Sequence, residues 1–150
     1  MTLSRAVAAL LGTQLFATAW AVAYRLPYQF GGHGAPERVL HDFWSHGTAL
    51  SAPAPVLVVV GILAVLARGR NRAGTVATVL LILLMVLALI TGILEPAVRQ
   101  ALRGGFPLVV RTGILVLTIV GLALALLVMV IAGGAIRNRI AGRGAALGAA

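Results

Sequence analysis

The sequence predicts an all-α integral membrane protein: a four-helix transmembrane bundle with a short amphipathic interfacial helix in its first outer connection. Three observations carry this prediction. Four windows, residues 6–24, 48–67, 75–94 and 112–136, contain no Asp, Glu, Lys or Arg, and roughly 18 or more apolar residues suffice to cross a hydrocarbon core ~30 Å thick as a helix. The chain is 61% hydrophobic over 150 residues, which leaves room for four spans and modest connections but no separate soluble domain. The charged residues cluster at the ends of the windows, where Arg marks topology and meets anionic lipid.

Residues 1–140 therefore read as one membrane domain and residues 141–150, small and glycine-rich, as a flexible cytoplasmic tail. In the first span Ala9, Thr13, Ala17 and Ala21 lie at four-residue spacing. Small residues so placed let helix backbones approach closely, which drives association where lipid is as apolar as the side chains. Gln14 sits beside that stripe, and its amide needs a partner inside the bundle. Trp20, Tyr24 and Tyr28 suit the outer interface. A rival reading makes this segment a cleaved signal peptide, with Arg5 as its charged start and Ala21-Val22-Ala23 as a small-x-small cleavage site; the length of the apolar run and its aromatic flank favour a retained span.

The first outer connection begins with the turn Gly31-Gly32-His33-Gly34. From Pro36 to His46 an amphipathic helix is expected, with Val39, Leu40, Phe43 and Trp44 on one face and Glu37, Arg38, His41, Asp42, Ser45 and His46 on the other. Arg38 and Asp42 have the spacing of an ion pair, and Gly47 is a natural terminator. All three histidines, His33, His41 and His46, lie here beside Asp42, a donor set suited to zinc, iron or copper. Residues 41 and 46 diverge by about 140° on one helix, so an outer-face metal or haem site requires His33 to fold over or the helix to fray.

The second span carries Pro53 and Pro55 near its start, so it either kinks there or begins its regular part at Pro53. The turn Arg68-Gly69-Arg70-Asn71-Arg72 leads to the third span, whose Ala88 and Gly92 repeat the small-residue spacing. Pro96 opens and Gly104-Gly105 closes a two-turn helix in the second outer connection. Glu95 ends the third span and Arg111 begins the fourth at comparable depth, so an ion pair between them is expected. Gly121 and Ala125 supply the packing face of the fourth span.

Basic residues near the span ends divide seven (Arg5, Arg68, Arg70, Arg72, Arg137, Arg139, Arg143) against five (Arg25, Arg38, Arg99, Arg103, Arg111), with all three acidic residues beside the five. The larger set marks the cytoplasmic side, which places both termini on the cytoplasmic side of a cell membrane. The net charge of +9 belongs to these flanks and forms no basic face for nucleic acid. No Cys is present, so disulfides, thiolate metal sites and catalytic thiols are excluded. No phosphate loop, catalytic triad or HExxH pattern occurs, and no cofactor is implied. The expected function is non-enzymatic, as an accessory or structural subunit or homo-oligomer acting by helix association. A small oligomeric transporter or channel and the histidine-segment metal site are the alternatives.

Overall fold

The computed structural model describes residues 1–27 and 35–147, of residues 142–147 the backbone alone. His33 and Tyr28 thus lie outside the described residues, within which every regular element is helical. Three helices are long and apolar enough to cross a membrane, α1 (Leu3–Ala23), α4 (Arg72–Leu94) and α6, which runs Leu108–Leu147 and qualifies over Leu108–Ala141. Leu15, Phe16, Ile62, Leu83, Ile90, Val116 and Ile119 are exposed around the helices. An apolar patch of that extent suits lipid rather than water. The chain is a membrane protein.

The second window departs from expectation. Its helix, α3 (Ala54–Leu66), has 13 residues and a length of about 20 Å, while residues 48–53 are irregular. Pro53 and Pro55 have no N–H to give a helix, and the proline ring clashes with the carbonyl a turn earlier. α4 begins three residues before its window because the Asn71 side chain caps it, accepting the Gly74 N–H at 2.9 Å, one of the donors that a helix start leaves unpaired.

Between α1 and α3 the single helix expected over 36–46 is broken. A 3-10 turn covers Pro36–Arg38 and one α-helical turn, α2, covers Val39–Asp42. The Asp42 carbonyl then accepts the N–H groups of Ser45, His46 and Gly47, winding the chain around one acceptor instead of extending the helix. Gly47 has φ +87°, and a Cβ there would meet the Ser51 carbonyl at 2.5 Å, so only glycine fits the turn. The expected apolar face splits as a result: Val39 is buried, whereas Leu40 and Trp44 point outward at 62% and 67% exposure.

In the second connection α5 (Pro96–Leu102) forms where expected, and Gly104 follows it at φ +78°. The last helix overruns its window at both ends. Residues read as a flexible tail continue α6 through Leu147, since Ala141, Ala145 and Ala146 are strong helix formers that offset the intervening glycines.

The helices pack in a ring, α1 against α3 and α6, and α4 against α3 and α6. One end is the arginine end. There Arg68 donates from Nε to the Ser4 hydroxyl at 2.9 Å, and Arg139 donates to the Ala67 carbonyl at 2.7 Å and the Thr78 hydroxyl at 3.2 Å. These contacts tie the start of α1, the end of α3, the start of α4 and the late turns of α6 together. An apolar cluster that includes Val7, Leu10, Leu63, Leu81 and Val128 fills the adjoining half. A second cluster, Ala21, Leu26, Val39, Ala49, Ala97, Ala101, Val110 and Ile114, holds α5 and the first connection onto the opposite end, the loop end.

A polar plug and a cavity at the loop end

Residues 48–53 bring irregular backbone into the ring, which is tolerated at membrane depth only where its polar groups find protein partners. The partners are specific. Thr48 Oγ1 accepts the N–H groups of Leu50 at 3.2 Å and Ser51 at 3.1 Å, while the Ser51 carbonyl accepts the Thr48 N–H at 3.0 Å. Gln14, from α1, accepts the Ala52 N–H through Oε1 at 3.2 Å. The Phe43 carbonyl accepts the Ala54 N–H at 2.9 Å, and Pro53 and Pro55 have none to satisfy. A hydroxyl chain joins the plug to α1, with Thr18 Oγ1 2.8 Å from Ser51 Oγ and Ser51 Oγ 3.0 Å from Thr48 Oγ1. Thr18 also donates to the Gln14 carbonyl at 2.9 Å.

Beside this plug lies a cavity of about 410 Å³ between α1, α3, α4 and α6. Its walls are mainly aliphatic, and Leu10, Val60, Met85 and Ala125 form its floor on the first apolar cluster. His46, Thr48, Ser51 and Glu95 supply polar lining toward the loop end. Glu95 is 7% exposed, and its Oε1 is buried without a hydrogen-bond partner. It stands between helices, closing α4 and preceding α5. Burial pushes its carboxyl up to about 7, against the lesser downward pull of the Ala97 N–H and the Arg99 charge. Arg99 itself donates to the Leu94 carbonyl at 2.8 Å.

The expected Glu95–Arg111 pair is not formed. Arg38 pairs instead with Asp42 at 3.9 Å, and His41 Nδ1 lies 3.5 Å from the same carboxylate. α5 packs against both α4 and α6, and Arg111 runs along Gly104, where a Cβ would lie 3.9 Å from Nη1. Similar depth along two helices is no guarantee of a contact once a third helix lies against both. The expected Arg38–Asp42 pair is present, but Asp42 is buried at 8% exposure rather than lying on a solvated face.

His41 and His46 face different neighbours, and the call on His33 lies outside the described residues. His41 Nδ1 faces Asp42 and Arg38, and His46 Nδ1 lies 2.8 Å from Ser45 Oγ. No group of three or more ligating side chains occurs among the described residues.

The small-residue faces are partly where the spacing puts them. Ala17 and Ala21 are buried, but Ala9 is exposed and Thr13 half-buried; the buried stripe of α1 runs Ala6, Val7, Leu10, Ala17, Thr18 and Ala21. Each four-residue step overshoots a full turn by about 40°, so a strict four-residue series drifts off a straight contact face. On α4, Ala88 is exposed and lines the cavity, whereas a Cβ on Gly92 would lie 3.2 Å from Leu122 of α6. On α6, Ala125 is buried, and a Cβ on Gly121 would lie 3.6 Å from Gln14 Nε2.

One contact between helices involves a glycine that the spacing argument does not single out. The Trp20 indole lies directly on Gly113 of α6, where a Cβ would overlap the ring. Comparison with protein-family models, curated proteins and solved structures finds no match to this chain.

Proposed function

We propose that this chain is a non-enzymatic four-span protein of the cell membrane that acts by association, as an accessory or structural subunit or as a homo-oligomer. In this reading α3 and the plug together make the fourth crossing, the first connection lies at the outer interface with Leu40 and Trp44 in lipid, and both termini are cytoplasmic. The clustering of arginines at one end of the ring supports that orientation. The observation that carries the functional reading is the sealed half beside the arginine end. Val7, Leu81 and Val128 are at most 2% exposed there, so among the described residues apolar side chains close the ring, and Gln14, Thr18 and Thr78 use their polar groups in bonds within the chain.

Native mass spectrometry of protein gently extracted from its own membrane tests the proposal. A stoichiometric second polypeptide or a defined homo-oligomer is expected. A monomer without a partner overturns the proposal, as does flux of ions or small metabolites by monomeric protein in reconstituted vesicles.

A further inference from the structure

We propose that the cavity at the loop end is a binding site for an amphiphilic monovalent amine, its ammonium paired with the Glu95 carboxylate and its apolar body seated on the aliphatic floor. A volume of about 410 Å³ lies within the range of small-molecule sites, which combine apolar walls with a few polar groups that fix orientation. Most polar atoms at this cavity already have partners: Gln14 holds Ala52, Thr48 holds the plug backbone, Ser51 bonds Thr18, and Thr91 donates to the Leu87 carbonyl at 2.9 Å. Glu95 differs, because it is more than nine-tenths buried with Oε1 unpartnered. A carboxylate desolvated in this way recovers its lost interactions when a cation that also donates hydrogen bonds enters.

Charge selects the ligand class. A carboxylate repels anions, and a bare metal ion demands several oxygen ligands, whereas one carboxylate over an aliphatic floor matches one ammonium carrying a hydrocarbon body. Among the residues lining the cavity, the titratable ones are Glu95 and His46; α1, α3 and α6 contribute none. Arg99 acts on Glu95 from α5. Deprotonation of Glu95 favours a bound cation, so amine affinity rises from pH 6 to pH 8.

The test compares octylamine, octanol and octanoate by calorimetric titration into protein-loaded and empty lipid nanodiscs. Octylamine is expected to bind at one per chain at pH 8, at least tenfold tighter than octanol, with octanoate at the empty-disc background. Glu95→Gln keeps the shape and removes the charge, and it should bring octylamine down to octanol's affinity while octanol is unchanged. Equal affinity for amine and alcohol in the unaltered protein, unchanged amine binding in Glu95→Gln, or no saturable binding of any probe would each overturn the assignment. None of these outcomes depends on whether the protein has a polypeptide partner.

Discussion

The side-chain oxygen of Gln14 on α1 accepts the backbone N–H of Ala52, 38 residues away, at 3.2 Å. Through this bond a polar residue within an apolar span supports a stretch of chain whose prolines prevent it from being helical. In lipid the unpaired alternative is costly, because no water replaces the lost acceptor. Gln14→Leu should therefore destabilise the protein by about 1–2 kcal/mol, seen as a lower unfolding temperature in detergent. Deuterium uptake should rise first at residues 48–54. An unchanged exchange rate there would show that Gln14 does not hold the plug.

The Trp20 indole of α1 lies directly on Gly113 of α6. Gly113→Ala should cost about 1–3 kcal/mol through overpacking, although alanine is the better helix former. In a Trp20→Leu background the same substitution should become nearly neutral, because the ring that the methyl strikes is gone. Additive losses in the double variant would place the strain elsewhere.

Arg139 reaches across the arginine end to the Ala67 carbonyl and the Thr78 hydroxyl. Arg139→Met removes charge-assisted bonds and should destabilise by about 1.5–3 kcal/mol. The exposed neighbour Arg137 serves as the control, and Arg137→Met should stay within about 0.5 kcal/mol. Equal losses at both positions would assign the effect to net charge rather than to the contacts.

Glu95 gives stability a definite pH dependence. Burial raises its carboxyl from 4.5 in the unfolded chain to about 7 in the fold, so between those values the folded state holds the extra proton. Stability is then fullest below pH 4.5, falls as pH rises toward 7 and levels off above it. Glu95→Gln should flatten this slope and raise stability at pH 8, as thermal unfolding across the pH series would register. A slope that persists in the variant would belong to another group.

Glu95 and Arg111 should also behave independently, since no ion pair joins them. Arg111→Glu and Glu95→Arg are each expected to have their own effect on thermal stability, and the double reversal should approach their sum. Recovery in the double reversal would show that the pair forms in the membrane.

Local composition was enough to identify three helices long and apolar enough to cross a membrane, the helix of the second connection and one ion pair. Uninterrupted apolar runs identify membrane helices because the bilayer demands about 20 such residues together with internally satisfied backbone. Pro96 and Gly104 bracket α5, and the spacing of Arg38 and Asp42 is enough to pair them within one short stretch of chain. The prolines of the second window announced an irregular start to α3, but nothing local shows that its backbone donors are met by Gln14, Thr48 and Phe43.

Tertiary structure decided everything that depends on which face meets which neighbour. Ala9 and Ala88 have the spacing of packing residues yet remain exposed, because a strict four-residue series winds off the contact line and nearly all-apolar helices carry little amphipathic signal of their own. Asp42 turned inward when its carbonyl became the centre of a turn, and α5 settled against both α4 and α6 at the end where Glu95 and Arg111 lie. The buried carboxylate beside an aliphatic cavity, its Oε1 without a partner, is a product of that packing: Glu95 is an ordinary span-flanking acid in the sequence, and only the helices and loop around it remove it from solvent.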